Sequence, residues 1–491
     1  MRNLRFVVVG AGMAGILSAI KLREAGFTDI AVYEKADRLG GTWRENTYPG
    51  ISCDVPSHLY SYSFAPNPEW THTFSPGPEI LAYLENVARQ GGIDGLIRYG
   101  TEVHRLEYDR AGWRIGTSAG RADRADRADR ADRADVVIAA TGVLHHPRYP
   151  DIEGLDRFDG PAFHSARWDH DVKLAGARVG VVGTGSSAVQ LVCALAGTVG
   201  ELRLFQRTPQ WILAVPNPAI DAQDRARYRA HPAAMTELRR ELGSGFVEAF
   251  ANAVVDASSP QLQLLQDLGL ANLEDHVRDP VLREKLRPDY RAGCKRLIIS
   301  PNFYESVQRP NAHVVTERIR RIEPRGVRTA DGELHELDVL VLATGFRVDR
   351  FLRPIEVIGR GGVRLDEVWA RRPFAYLAVS VPDFPNLFML NGPNGPVGNF
   401  SLIDVAEAQC GYVLELVDLL GRGRCREVSA SRQAMARFET ERAEAAKNTV
   451  WMTGCRSWYL DDRGIPAVWP WSFTRFRAAM ARPVLDDYEL V

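Results

Sequence analysis

The chain has 491 residues, a net charge of −1 and 25% charged residues. This length suggests two to four domains, and so balanced a charge supplies no field to draw nucleic acid or an anionic membrane. Six scattered cysteines contain no C-x-x-C, so neither a disulfide framework nor a zinc or other metal site is expected, and disulfide reductases are disfavoured. No apolar run reaches membrane-spanning length. The run Leu4–Val9 reads as a buried strand rather than a secretion signal, and a cytoplasmic protein is expected.

Directly after that run comes Gly10-Ala11-Gly12-Met13-Ala14-Gly15, and Glu34 stands 24 residues beyond Gly10. The order is strand, glycine turn, helix, strand, polar tip. Gly10 allows the sharp turn, Gly12 lets backbone approach a pyrophosphate, and Gly15 lets helix pack on strand. The helix N-terminus then faces the phosphates. A carboxylate at the second strand's tip accepts hydrogen bonds from free ribose hydroxyls and repels a 2′-phosphate.

Further along, Arg-Ala-Asp repeats five times from Arg121, which reads as a solvated hairpin loop or a short charged helix. The strand Ala134–Ala139 then ends in Ala140-Thr141-Gly142. A second glycine loop, Gly183-Thr184-Gly185-Ser186-Ser187-Ala188, follows Val179–Val182, and Arg207 stands 24 residues beyond Gly183. A guanidinium there favours a 2′-phosphate. One cradle therefore suits FAD and the other NADPH, unless the two halves merely pack together.

From Pro218 to Pro288 strand signals vanish. Apolar residues such as Met235, Leu238, Leu242 and Phe246 recur at helical spacing, and this amphipathic insertion is expected to roof a cleft. Leu337–Leu342 with Ala343-Thr344-Gly345 repeats the earlier strand and its ending. Each copy should close one nucleotide unit. After the turn-rich loop Asn391–Phe400, Ser401 is an expected N-cap for a helix over Leu402–Leu420. That helix would aim its positive end at a flavin.

The linker segment carries Phe158-x-Gly160-x-x-x-His164-x-x-x-Trp168-Asp169. This pattern resembles the fingerprint of type I Baeyer–Villiger monooxygenases, and the twin glycine loops flank it in the family order. Gly40-Gly41-Thr42-Trp43 and Tyr48–Asp54 resemble the family's stretch beside the flavin. Phe205–Pro209, with Arg207 and Thr208, resembles its 2′-phosphate clamp. Cys294-Lys295-Arg296-Leu297 resembles the segment with a second phosphate-binding Lys and the active-site Arg. Ser457-Trp458-Tyr459 resembles a nicotinamide-nucleotide contact.

The resemblance implies an α/β fold of two Rossmann-like dinucleotide-binding domains with a helical insertion. Residues 1–142 and 345–491 would form the FAD domain, 143–216 and 291–344 the NADPH domain, and 217–290 the insertion. It implies cofactor contacts from Gly10, Gly12, Gly15, Glu34, Gly41, Thr42, Trp43, Asp54, Gly183, Gly185, Ser186, Arg207, Thr208, Lys295 and Trp458. Arg296, steadied by Asp54, would be catalytic. The fingerprint would couple domain positions rather than perform bond chemistry. The implied reaction converts a ketone to an ester or lactone with O2 through a flavin 4a-peroxide. Two alternatives stay open: oxygenation of an amine or sulfide, as in flavin-containing monooxygenases, and a nucleotide-binding flavoprotein without catalysis.

Overall fold

The computed structural model describes residues 2–119, 132–398 and 400–491. Two five-stranded parallel sheets carry the architecture. In the first, Arg5–Val9 lies between Asp29–Tyr33 and Val136–Ala139, with Ile97–Arg98 and Leu387–Met389 at the edges. In the second, Arg178–Val182 lies between Glu201–Phe205 and Val339–Leu342, with Ala312–Val315 and Ala162–His164 at the edges. The central strands are near-continuous apolar runs because parallel strands are covered on both faces. The strand Leu387–Met389 brings the C-terminal part of the chain back to the first sheet.

The internal repeat has a physical counterpart in both sheets. Asp135 Oδ2 accepts the backbone N–H of Arg5 at 2.8 Å, and Asp338 Oδ2 accepts that of Arg178 at 2.8 Å. Each aspartate fixes the register of a neighbouring strand. Gly10 and Gly183 both take positive φ, +103° and +118°. A Cβ on Gly10 would lie 2.6 Å from the carbonyl oxygen of Ala140, and one on Gly183 2.3 Å from that of Ala343. The Ala-Thr-Gly endings are therefore the surfaces against which the glycine turns close.

Most of the Arg-Ala-Asp repeat lies outside the described residues. Its Asp132–Ala134, expected in a loop or helix, is instead a strand paired with Trp113–Ile115. Asp132 accepts hydrogen bonds from Arg5 at 2.7 Å and from the Tyr33 hydroxyl. These partners lie far away in sequence, so composition alone could not reveal them.

The insertion is helical, with helices Ala222–Ala230, Pro232–Phe246, Pro260–His276 and Pro280–Leu286. It does not roof the cleft described below: none of the described residues lining that cleft falls within 217–290. Its apolar face is spent elsewhere. Leu242, Phe246 and Val247 pack on the first sheet's core, and Arg239 donates to the carbonyls of Leu59 and Ser61 and to the Asp404 carboxylate. Among the described residues no helix is long and apolar enough to cross a membrane.

Candidate active site

A single cleft of about 1890 Å³ runs past the C-terminal tips of both central strands. This is where open parallel sheets bind ligands, and the volume exceeds that of a site for one small molecule. The cleft is lined by Gly10, Gly12, Glu34, Gly41, Thr42, Trp43 and Asp54 from one side. Gly183, Gly185, Ser186, Arg207, Thr208, Lys295, Arg296 and Trp458 line it from the other. Gly15 faces inward instead: a Cβ there would lie 1.8 Å from the Gly10 carbonyl oxygen.

The first cradle is closed and internally satisfied. Glu34 is 5% exposed. Its carboxylate accepts the N–H groups of Ala11 and Ala36, each at 2.9 Å, and pairs with Arg44 at 3.0 Å. The acid is thus held with its orientation set, and Oε2, which takes only the Ala11 N–H, keeps acceptor capacity for a ribose hydroxyl. Trp43, in the short helix Thr42–Glu45, donates its indole N–H to the Tyr60 hydroxyl at 3.2 Å.

The second cradle is open and carries surplus positive charge. A Cβ on Gly185 would meet nothing within 4 Å, so backbone there stands free to meet a ligand. Thr184 donates its hydroxyl to the Thr208 carbonyl at 2.8 Å, steadying the loop after Arg207. Arg207 is exposed and has no carboxylate partner among the described residues. Lys295 lies 5.2 Å over the Tyr290 ring. Burial, followed by the nearby charge of Arg207, lowers the Lys295 pKa. Two adjacent cations with no ion-paired carboxylate among the described residues, Asp289 acting on Lys295 only more weakly, fit a phosphate dianion.

Arg296 stands where the cradles meet. Its Nε and Nη2 donate to Asp54 Oδ2 at 2.9 and 2.6 Å, and its Nη1 donates to the Gly398 carbonyl at 2.8 Å. Burial works against the guanidinium charge, but Asp54, with Tyr459 and Cys53 adding to it, more than offsets burial and the Arg296 pKa rises. The cradles also touch directly. Tyr48 donates to Gln190 Oε1 at 2.8 Å, and Gln190 Nε2 donates to the Ser52 carbonyl at 3.0 Å. The loop before Asp54 is therefore docked on the second unit's first helix, Ser186–Leu195.

Residues 7–229 match the family model described as pyridine nucleotide-disulphide oxidoreductase. A Baeyer-Villiger monooxygenase of Streptomyces coelicolor is 41% identical over 100% of this chain and 93% of its own length. The chain belongs to the Baeyer–Villiger monooxygenase family. Among solved structures, cyclohexanone monooxygenase from Rhodococcus sp. Phi1 bound to NADP+ superposes with a TM-score of 0.87 at 31% identity, covering 99% of both chains. OTEMO in complex with FAD and NADP does so with a TM-score of 0.87 at 27% identity, again over 99% of both.

The family fingerprint lies behind the cleft, and none of its five fixed residues lines it. Gly160 is pressed on backbone, since a Cβ would sit 2.3 Å from the Asp338 carbonyl oxygen. Phe158 packs against the second unit's core. His164 is fully buried. Its Nε2 lies 3.0 Å from the Gly345 carbonyl and its Nδ1 accepts the Ala166 N–H at 3.1 Å. This pattern is that of a neutral ring with its proton on Nε2, and burial pushes its pKa down to about 4. Trp168 meets Phe163 edge-on, with ring centroids 5.1 Å apart. Asp169 is exposed and accepts the Asp171 N–H at 3.0 Å.

One residue of the site was not singled out by sequence reasoning: Arg44, which pairs with Glu34. Tyr459, named only as part of its segment, stacks on Trp458 with centroids 4.1 Å apart. Tyr459 is buried, and its hydroxyl fills the place where a Cβ on Gly398 would sit, 2.0 Å away. Burial pushes its pKa up to about 12. The available signal for Arg44 was adjacency, since it directly follows Trp43 of the Gly40–Trp43 segment. At the expected helix start, Ser401 accepts the Asp404 N–H at 3.4 Å, capping Leu402–Gly421. Asp404 already places a carboxylate in that first turn, so the dipole is partly spent within the protein.

The expectation against a disulfide framework needs one amendment. Cys294 and Cys455 are joined, while Cys53, Cys193, Cys410 and Cys425 are free. The partners are 161 residues apart, and only the tertiary fold brings them together.

Proposed function

We propose that this chain is an FAD- and NADPH-dependent monooxygenase that converts a small ketone to an ester or lactone with O2. The observation that carries the reading is Arg296, fixed by Asp54 and the Gly398 carbonyl at the meeting point of two unlike dinucleotide cradles. The residues present fit both cofactors. Glu34 keeps acceptor capacity in a cradle whose Gly12 allows close backbone approach, and Arg207 with Lys295 forms an unneutralised pair beside the open Gly185. The relatives' names and the cofactors in the solved neighbours support the same reading. We assign 1–142 and 345–491 to the FAD unit, 143–216 and 291–344 to the NADPH unit, and 217–290 to the insertion.

FAD, once reduced by NADPH, supplies the chemistry that activates oxygen. The protein supplies position and field. Gly10, Gly12 and the helix start at Met13 take the flavin nucleotide's pyrophosphate, and Glu34 takes its ribose. Gly41, Thr42 and Trp43 line the same side. Gly183, Gly185 and Ser186 take the NADPH pyrophosphate, while Arg207, Thr208 and Lys295 hold the 2′-phosphate. Trp458 would contact the nicotinamide nucleotide. Arg296 presents a fixed cation to the oxygen that becomes negative at the ketone carbon. Asp54 holds the guanidinium by Nε and Nη2, so little reorganisation is needed as charge develops.

Replacing Arg296 by Ala should lower ester formation by about 10²–10³-fold while flavin reduction by NADPH proceeds at the parent rate. Stopped-flow spectra and product analysis on a ketone panel separate the two steps. Ester formation at the parent rate would remove Arg296 from the mechanism, and with it the central support for the reading.

A further inference from the structure

The Cys294–Cys455 bond has no part in the reaction derived above, yet it sits between the two segments that matter most to it. Cys294 immediately precedes Lys295 and Arg296, and Cys455 is followed by Arg456, Ser457 and Trp458. All five of those neighbours line the cleft. The Cα atoms of the two cysteines are 6.3 Å apart, within the ordinary range for a disulfide. Cys294 is wholly buried among Val254, Leu262, Val450 and Trp451, whereas Cys455 is only partly covered.

The loop that carries Trp458 is otherwise lightly tied. The backbone N–H groups of residues 454–458 donate no hydrogen bond to the described residues. Beyond the covalent link, the loop is held by the tilted ring contact of Trp458 with Tyr459, by the burial of Tyr459 against Trp451, and just past it by the Leu460 N–H donating to the Ser457 carbonyl at 3.3 Å and the Ala467 N–H donating to the Tyr459 carbonyl at 2.7 Å. Breaking the link therefore loosens a segment that lines the nucleotide cleft, without unmaking either sheet. In a reducing compartment a bond of this kind acts as a sensor rather than a staple.

We propose that Cys294–Cys455 is a thiol-switched clasp: a dithiol reductant opens the Trp458 loop, and hydrogen peroxide closes it. This rests on the assignment of Trp458 to the NADPH site made above. In opening, a thiolate of the reductant attacks the accessible Sγ of Cys455. The disulfide breaks, and Cys294 leaves as a thiolate and is protonated. The reductant's second thiol then displaces Cys455, leaving two protein thiols and a cyclic disulfide of the reductant. In closing, the Cys455 thiolate attacks hydrogen peroxide to give a sulfenic acid, and Cys294 displaces its hydroxyl as water. Two thiols and one peroxide thus yield one disulfide and two waters. Peroxide is what an oxygen-activating site releases when oxidation of NADPH is not matched by ester, so an open loop would generate the oxidant that closes it.

The test uses the FAD-loaded, full-length enzyme. After peroxide treatment, denatured protein should show four titratable thiols, and after dithiothreitol all six, with a mass gain of about two hydrogens as the disulfide opens. NADP+ affinity, measured by calorimetry, should weaken roughly tenfold on reduction, as for a loop closed about a tenth of the time. Cys455→Ser should show the weak affinity in both redox conditions, and Cys425→Ser should behave as the parent. Six thiols after peroxide, or equal NADP+ affinity in the two states, overturns the clasp. A redox-dependent affinity with no ester from any ketone leaves the clasp standing and removes the ketone reading instead.

Discussion

The two cradles share one backbone plan and use charge in opposite ways. In the first, Glu34 is buried, receives two backbone N–H groups and is paired with Arg44. In the second, Arg207 is exposed, and its charge works against that of Lys295. Burying a charge is costly unless it is paired, so the first arrangement is stable with its orientation fixed in advance. Leaving two cations unpaired is tolerable only near solvent, where the missing partner can arrive and depart. The difference teaches that one backbone plan can be given a charge satisfied within the protein in one copy and a charge left for a ligand in the other.

The largest expected effect separates the cradles through their glycines. Gly15→Ala drives a Cβ into the Gly10 carbonyl. Overpacking of this kind, here against backbone rather than a flexible side chain, should cost about 3 kcal/mol or more. The protein should lose its yellow colour and melt well below the parent. Gly185→Ala meets open space and should change stability by no more than about 0.5 kcal/mol. It should keep FAD and raise KM for NADPH. Equal damage from the two substitutions, read by thermal melts and visible spectra, would erase the distinction between a closed and an open seat.

Much of this contrast was legible in the chain itself. Glycine turns, the acid and base at matched distances and the Ser401 cap depend on spacing within a short stretch of chain, which local physics controls, whereas Lys295-Arg296 was legible through the family resemblance of its segment. The features that were not legible are made by contacts across the fold. Arg44 meets Glu34 only because the Gly40–Trp43 loop folds back on the first turn. Asp132 is recruited by Arg5 and Tyr33. The insertion's apolar face met the segment around Leu59–Ser61 rather than the cleft, and helical periodicity shows that a face is buried without showing against what. The disulfide is the extreme case, with partners 161 residues apart.

The seam between the cradles offers a weaker handle. His164, on the edge strand of the second sheet, holds the carbonyl of Gly345, where the chain leaves that sheet to return to the first. Its folded-state pKa of about 4 lies below the ordinary value near 6.5, so the unfolded chain takes up the proton first. The stability it contributes is complete above about pH 6.5 and drains away as pH falls towards 4, by up to about 3 kcal/mol. Protonation at Nδ1 would also cost the Ala166 hydrogen bond. His164→Gln should therefore flatten the slope of melting temperature against pH across that window. An unchanged slope would show that other buried groups carry the acid sensitivity and that the seam does not titrate.

The smallest effect is the most selective. Arg207→Ala removes one charged partner of the 2′-phosphate, worth about 1.5–3 kcal/mol, or roughly 10–150-fold in KM for NADPH. The fold should be untouched, since Arg207 is exposed and has no carboxylate partner among the described residues. Binding should survive in part, because Lys295 remains as a point charge. NADH lacks the 2′-phosphate and should be used as before, so the preference for NADPH should shrink towards parity. Equal losses with both nucleotides would mean that Arg207 shapes the loop around Thr208 instead of reading phosphate, and the second cradle would then owe its selectivity to Lys295 alone.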